Sequence, residues 1–304
     1  MRILFLGTPE FAVPSLEILL NEGHEIVSVI TAPDKPAGRG MHLQQSAIKK
    51  FAAEHELKIL QPEKLKDENF LSELKSLEPD LGVVVAFRKL PETVWSLPRL
   101  GTFNLHASLL PDYRGAAPIN WAIINGEKET GVTTFFLTHE IDMGKIILRE
   151  KISIGAEETA GELHDRMKTI GATLVSKTVK QIKQGNVQTQ SQPLTDHFKK
   201  APKIFTEDCR IHFDKSVDEV FNLIRGLSPY PAAFTMLNSK VLKIFRAKKI
   251  SENVNQEAGE ISSDGKTFLR FACRDGRIET TEVQLEGKKK MSIEEFLRGF
   301  HLGS

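Results

Sequence analysis

Short apolar runs alternate with amphipathic stretches through the first half of the chain. The runs at residues 2–6, 25–31 and 81–86 are rich in β-branched and aliphatic side chains, and each predicts a strand. The last of them reads LGVVVA, a pattern typical of a strand that is buried on both faces of a parallel sheet. Helical patterns occupy residues 11–20 and 46–54. This alternation predicts an α/β domain with a Rossmann-like, mainly parallel sheet, in which ligands bind at the carboxyl ends of the strands.

The pattern changes after a long helical stretch that closes this half. Residues 190–205 are polar, with two prolines and few large apolar side chains, and this composition predicts a linker. Beyond it, short strand candidates, the first at residues 211–213, are separated by Asn-Ser, Asp-Gly and Glu-Gly turn signals, and one helix is predicted at about residues 216–226. We therefore expect two domains, residues 1–189 and 206–304, of which the second is a smaller, mainly-β, OB-like barrel.

Charge is balanced over the whole chain but not along it. The formal net charge is +1, with 41 Lys and Arg against 40 Asp and Glu. This balance excludes a generally basic coat for nucleic acid, although a local basic path stays possible. Five cations in the second domain follow one another with no acidic residue between them: Lys240, Lys243, Arg246, Lys248 and Lys249. Alternate positions of this run would form a basic stripe on a strand.

The chain has two cysteines, Cys209 and Cys273. They are too few for a disulfide framework or a zinc site, which is typical of a protein from a reducing compartment. No apolar run approaches the ~18 residues that a membrane span needs. We therefore expect a cytoplasmic protein with no membrane partner and no metal ion.

Asn104 and His106 stand at the end of a short predicted strand with one residue between them. Their side chains therefore point to the same face. An amide can donate to a developing oxyanion and an imidazole can accept a proton near neutral pH, which suits acyl transfer. Asp142 is the candidate that would orient the imidazole, with His139 and Glu140 as competitors. From spacing alone, a polar pair that ends a strand and an aspartate in an Asx turn are the commoner interpretations.

Five motifs stand in order along the chain. G-T-P-x-F occupies residues 7–11, and P-D-K-P-A-G-R-G occupies residues 33–40. The longest, N-x-H-x-S-L-L-P-x-x-R-G-A-A-P, is unbroken across residues 104–118. T-G-V-T follows at residues 130–133, and G-K-K-K-M at residues 287–291. Through these motifs the sequence resembles the methionyl-tRNA formyltransferase family over nearly its whole length.

The resemblance implies an activity and its partners. The family transfers the formyl group of 10-formyltetrahydrofolate to the α-amine of methionine on initiator methionyl-tRNA, without a metal and as a monomer. By this resemblance, residues 1–189 are the catalytic domain, and residues 206–304 are a tRNA-binding domain.

The resemblance also implies roles for individual residues. Catalysis is expected from Asn104, His106 and Asp142. Folate is expected to contact Ser108, Leu109, Leu110 and Pro111. The tRNA is expected to meet Lys35 and Arg39 in the loop after the second strand, and Lys243 and Lys248 in the second domain.

The sequence departs from the family pattern at two places near these residues. Phe87-Arg88 stands where Tyr-Gly is usual, and Glu140-Ile141 stands where Gly-Leu usually precedes the aspartate. Neither departure removes a reacting group. Two alternatives stay open: a sugar-nucleotide N-formyltransferase, which shares the Asn-x-His and Asp residues, and a folate- or RNA-binding relative that has lost catalysis.

Overall fold

The computed structural model describes residues 1–37, 42–193, 197–252 and 256–299. Its strands, in chain order, are β1 Arg2–Gly7, β2 Glu25–Ile30, β3 Lys35–Ala37, β4 His42–Gln44, β5 Ile59–Leu60, β6 Leu81–Val85, β7 Thr102–His106, β8 Arg114–Gly115, β9 Glu129–Phe136, β10 Ile146–Ser153, β11 Lys200–Ala201, β12 Ala233–Leu237, β13 Lys240–Ile250, β14 Ile261–Ser263, β15 Leu269–Cys273, β16 Gly276–Leu285 and β17 Met291–Ser292. Its helices are α1 Val13–Asn21, α2 Ala47–Glu54, α3 Glu68–Ser76, α4 Glu92–Trp95, α5 Pro118–Ile124, α6 Ala160–Gln184, α7 Val217–Leu227 and α8 Ile293–Gly299.

The chain divides into two compact units, and the first comprises Met1–Arg114, Gly131–Ile152 and His164–Lys199. Its sheet has seven strands in the order β10-β9-β7-β6-β1-β2-β5. The five strands from β7 to β5 run parallel to one another, and β9 is antiparallel to β7. Large side chains such as Phe5 and Phe103 are fully buried in this sheet. The predicted α/β, mainly parallel sheet is confirmed.

The carboxyl ends of three neighbouring strands meet at one edge of this sheet. The register places Gly7 of β1 beside Val85 of β6, and Val85 beside Leu105 of β7. His106 is the last residue of β7, and it is paired with Thr133 of the antiparallel strand β9. The predicted His106 therefore lies at the edge of the sheet where α/β folds bind ligands.

The second unit comprises Gly115–Thr130, Ser153–Leu163 and the chain from Lys200 onward. Its main sheet is antiparallel, in the order β12-β13-β16-β15-β14, with β17 added to β16. Helix α7 begins with a capping box, in which Ser216 and Glu219 bind each other's backbone N–H groups. This antiparallel half-barrel confirms the predicted mainly-β character of the C-terminal part.

One predicted strand is wrong. Residues 211–213 form no strand. Among the described residues, the one β-type pairing next to them is an isolated bridge between Arg210 and Phe234. The predicted linker at residues 190–205 and the domain boundaries that it sets stay predictions. In the part of the chain that the structure describes, no helix is both long and apolar enough to span a bilayer.

Candidate active site

The ring of His106 is held by the loop that follows it. His106 is 7 % exposed, and its Nε2 lies 2.9 Å from the main-chain oxygen of Tyr113. A carbonyl oxygen can only accept, so Nε2 carries a proton. The neutral ring therefore has its lone pair on Nδ1, and this atom is the one that can accept a proton.

Asn104 lies two residues earlier on β7, so its side chain shares a face with the imidazole. It is half-buried and sits in the sheet between Val84 and Phe135. Within the described part of the chain, its amide makes no hydrogen bond. The structure therefore brings an uncommitted amide and an oriented imidazole together at the carboxyl end of β7.

The loop after His106 is fastened to β9 through one hydroxyl. Oγ1 of Thr133 donates to the main-chain oxygen of Ser108 at 2.6 Å and accepts from the N–H of Leu110 at 3.1 Å. The side chains of Ser108 and Leu110 are buried, and Ser108 Oγ donates to the main-chain oxygen of Asp112 at 2.6 Å. Leu109 is half-buried. Of the predicted folate residues, Ser108 and Leu110 are therefore committed to the protein interior by their side chains.

Pro111, the fourth predicted folate residue, is half-buried like Leu109. Leu109 packs over Gly131 so closely that a Cβ on that glycine would lie 2.4 Å from Leu109 Cδ2 and 2.2 Å from the main-chain oxygen of Glu150. The glycine of the T-G-V-T motif therefore lets the loop approach β9.

Asp142 stands in a tight loop in a left-handed conformation, with φ of 55°. Its main-chain oxygen accepts from Nε2 of Gln192 at 2.8 Å, and the main-chain oxygen of Gly144 accepts from the same nitrogen at 2.9 Å. Among the described residues, no hydrogen bond joins the Asp142 carboxylate to His106. The structure thus fixes the backbone that carries the carboxylate, while the orienting role of Asp142 stays a prediction.

Two residues that the sequence interpretation missed complete this region. Gln192 lies inside the stretch predicted as a linker, yet it is 7 % exposed. Arg114 is 8 % exposed, and its Nη2 donates to Gln192 Oε1 at 2.5 Å. Burial lowers the pKa of the Arg114 guanidinium from its ordinary value, and the carboxylate of Asp142 opposes this effect. Arg114 belongs to the R-G-A-A-P motif, so the sequence offers a reason to consider it, whereas Gln192 belongs to no motif.

Lys35, one of the predicted tRNA contacts of the first unit, lies in a short hairpin. Lys35 begins β3 and pairs with Gln44 of β4. At the base of the hairpin, Asp34 accepts from Lys49 Nζ at 2.5 Å and from Gln61 at 2.9 Å. Arg39, the other predicted cation, lies outside the described residues.

In the second unit, the side chains of β13 do not alternate regularly between the two faces of the sheet. Its pairing with β16 shifts between Ile244 and Ala247. Before the shift, Lys243 pairs with Gln284 on the face away from the core, and after it, Lys248 pairs with Glu279 on that same face. The two predicted cations therefore share one face of the sheet.

Two other cations of the run are paired with acidic residues. Arg246 forms an ion pair with Glu162 at 2.5 Å, and Lys249 turns toward α7, where it binds Asp218 and lies 5.4 Å from the ring centre of Phe221. The predicted stripe is thus interrupted by acidic partners.

Of the residues that depart from the family pattern, Arg88, Glu140 and Ile141 are exposed, while Phe87 is half-buried against the core. Arg88 donates to the main-chain oxygens of Pro62 and Glu63 at 2.5 and 3.0 Å, and Ile141 is 60 % exposed. Across the described residues, no group of three His, Cys, Asp or Glu side chains is arranged to hold a metal ion.

Two family models match the chain. The formyl transferase model matches residues 1–179, and the formyl transferase C-terminal domain model matches residues 203–301. Among solved structures, the chain is similar to WlaRD, a sugar 3N-formyl transferase, with a TM-score of 0.69 at 21 % identity over 95 % of this chain and 99 % of that one. An N-formyltransferase from Helicobacter canadensis gives a TM-score of 0.70 at 20 % identity, over 92 % and 98 % of the two chains. At these identities the structures show the shared fold.

Curated relatives are much closer in sequence. The chain is 50 % identical over 310 residues to the methionyl-tRNA formyltransferase of Bacteroides fragilis, covering 99 % of this chain and 96 % of the relative. It is 52 % identical over 303 residues to the methionyl-tRNA formyltransferase of Flavobacterium johnsoniae, covering 98 % and 96 %. With both family models matched and this identity over nearly the full length, the chain belongs to the methionyl-tRNA formyltransferase family.

Proposed function

We propose that this chain transfers the formyl group of 10-formyltetrahydrofolate to the α-amine of methionine on initiator methionyl-tRNA. The observation that carries the chemistry is the pair at the end of β7. His106 has Nε2 bound to the oxygen of Tyr113 and Nδ1 left to accept a proton, and the unengaged amide of Asn104 lies on the same face. The similarity to curated relatives supports the acceptor, and family membership supports a folate donor.

The reaction needs one proton to move before a bond can form. The methionyl ammonium loses a proton to Nδ1 of His106, and the free amine attacks the formyl carbon. The tetrahedral intermediate carries a negative oxygen, to which the Asn104 amide donates. The attacking nitrogen still carries two protons at this stage, and it releases one of them to solvent water. When the bond from carbon to the folate nitrogen breaks, His106 returns its own proton to that nitrogen, which leaves tetrahydrofolate and formylmethionyl-tRNA.

Asp142 has a supporting part in this proposal. A carboxylate near an imidazole stabilises the imidazolium that forms when the ring takes the proton. The buried guanidinium of Arg114 is attracted to the same carboxylate and, more weakly, to those of Glu140 and Asp112.

The binding surfaces follow from burial and charge. We assign the folate to the loop of residues 108–111, where its contacts come from the backbone and from the half-buried side chains of Leu109 and Pro111. We assign the tRNA phosphates to Lys35 and Arg39 in the first unit, and to Lys243 and Lys248 on the shared face of β13.

The test is a transfer assay with purified protein and radiolabelled 10-formyltetrahydrofolate. Charged initiator tRNA and a nucleotide-linked aminosugar are supplied separately as acceptors. We expect formylmethionyl-tRNA and no formylated sugar. Formylation of the sugar alone would assign the chain to the sugar-nucleotide class, and binding of folate and tRNA with no transfer would identify a non-catalytic relative.

Two further properties belong to this proposal. We expect the enzyme to act as a monomer, which sedimentation velocity tests directly. The reaction serves translation initiation, so we place the enzyme in the cytoplasm.

A further inference from the structure

Gln192 is a buried side chain whose amide nitrogen and oxygen both have hydrogen-bond partners that fix the orientation of the amide. Its Nε2 donates to the main-chain oxygens of Asp142 and Gly144 at 2.8 and 2.9 Å. Its Oε1 accepts from Nη2 of Arg114 at 2.5 Å. Two carbonyl oxygens that only accept and a guanidinium that only donates leave no second orientation for the amide.

Arg114 is itself fixed on several sides. Its Nη1 lies 3.3 Å from Sδ of Met143, and its guanidinium carbon lies 4.4 Å from the ring centre of Phe198. No ion pair of 4.0 Å or less neutralises it among the described residues. A buried cation without a close counterion is costly to keep, which calls for a role beyond packing.

The segment that these two residues hold is the one that carries Asp142. The Asp142 backbone has φ of 55°, a left-handed conformation that is uncommon outside glycine and that aspartate tolerates better than most residues. On the far side of the loop, a Cβ at Gly144 would lie 1.6 Å from the main-chain oxygen of Phe136, so the loop is pressed against β9 there. The Gln192 amide bridges both carbonyls of this short stretch.

The same chain segment holds the histidine. Tyr113, whose main-chain oxygen accepts from His106 Nε2, immediately precedes Arg114. One peptide unit therefore separates the group that orients the imidazole from the group that orients Gln192. The path from His106 to the Asp142 backbone runs through Tyr113, Arg114 and Gln192 without a gap.

We propose that Arg114 and Gln192 are a positioning pair, which sets the backbone of Asp142 relative to His106 for proton transfer. This inference rests on the proposed function, because it assigns the pair to the formyl-transfer step. Neither residue touches the reacting atoms. Their effect is to keep the carboxylate and the imidazole in one relative placement, and a displacement of about 1 Å there costs up to about 100-fold in rate.

Gln192→Glu is the sharpest variant. The carboxylate keeps the size of the side chain and the acceptor for Arg114, but it places a negative oxygen against two carbonyl oxygens where the amide nitrogen donates. We expect kcat for formyl transfer to fall between about 10- and 100-fold, while KM for the folate and for methionyl-tRNA stays unchanged. Gln192→Leu is neutral and similar in volume, and it removes the same two donated hydrogen bonds. We expect it, too, to lower kcat and to leave both KM values unchanged.

Thr178→Val is the matched control in the same unit. It deletes the buried hydroxyl that bonds to Thr134 Oγ1 and to the main-chain oxygen of Leu174, each at 2.8 Å. We expect it to lower the melting temperature and leave kcat unchanged, which separates loss of stability from loss of positioning.

The outcomes separate the two proposals. Transfer by the wild-type protein tests the proposed function, and the ratio of variant to wild-type kcat tests the positioning pair. A folded Gln192→Glu or Gln192→Leu with wild-type kcat would overturn the pair. A fall in kcat that Thr178→Val shares, at an equal loss of melting temperature, would overturn it as well.

Discussion

The Thr133 hydroxyl fastens the loop of residues 108–111 to the sheet, and Thr133→Val tests what that bond does. Valine has the same shape, so the change removes only the hydroxyl. The main-chain oxygen of Ser108 loses its donor at 2.6 Å, and the N–H of Leu110 loses its acceptor at 3.1 Å. Thr133 is fully buried, so water cannot replace either partner.

The expected cost follows from these two unsatisfied groups. A buried group left without its partner costs about 1–3 kcal/mol, and the added methyl group recovers a small part. We therefore expect the free energy of unfolding to fall by about 2–4 kcal/mol. Because the loosened loop carries Leu109 and Pro111, we also expect KM for 10-formyltetrahydrofolate to rise while KM for methionyl-tRNA does not change.

Urea unfolding followed by circular dichroism gives the first quantity, and initial rates at varied folate concentration give the second. Thr178→Val, whose hydroxyl is also buried in this unit, is the control that should lose stability without a change in folate KM. A loss below about 0.5 kcal/mol in Thr133→Val would refute the reasoning about the hydroxyl. If stability falls as expected but KM for the folate does not change, the loop of residues 108–111 does not contribute to folate binding.

Three further predictions concern the second unit. Replacing Lys243 and Lys248 by Gln should weaken tRNA binding and lower the slope of log K against log salt by about 1 for each phosphate that is no longer neutralised, with folate KM unchanged; fluorescence titration at several salt concentrations measures this. The hydrogen bond from the Thr159 N–H, and after it the one from Arg246, lower the pKa of Glu162 to about 2. The Glu162 carboxylate therefore contributes its full stability above its ordinary pKa of 4.5, and this contribution is lost as the pH falls through about 2. Glu162→Gln should show a shallower fall in melting temperature than the wild type over this interval. Gly115 has φ of 128°, and a Cβ there would lie 2.3 Å from a main-chain oxygen of β11, so Gly115→Ala should lower the free energy of unfolding by about 1–3 kcal/mol or more in urea titrations.

The parts of the fold that the sequence predicts are those decided by local patterns. A continuous apolar run at residues 81–86 becomes β6, and the spacing of Asn104 and His106 places both on one face because side chains alternate along any strand. The prediction is wrong at residues 211–213, where an apolar pattern is satisfied by core packing without a ladder of hydrogen bonds.

The parts that the sequence does not predict depend on distant contacts. Gln192 bonds across 78 positions to Arg114 and across 50 to Asp142, and a single glutamine in a polar stretch gives no local sign of that. The basic run on β13 also depends on a distant contact. The shift in its pairing with β16, which buries Phe245, is set by the partner strand and has no sign in the local sequence. Periodicity alone therefore predicts a more regular stripe than the one that forms.

The central claim is that His106 accepts the proton from the methionyl amine, and the single-turnover rate of formyl transfer by His106→Gln tests it most directly. A glutamine amide can still donate to the Tyr113 oxygen, so the loop keeps its hydrogen bond, but an amide cannot take up a proton at neutral pH. If His106 is the base, the rate at saturating folate and tRNA is lower by about 10²–10⁴-fold. A His106→Gln rate within about tenfold of the wild-type rate would contradict this role.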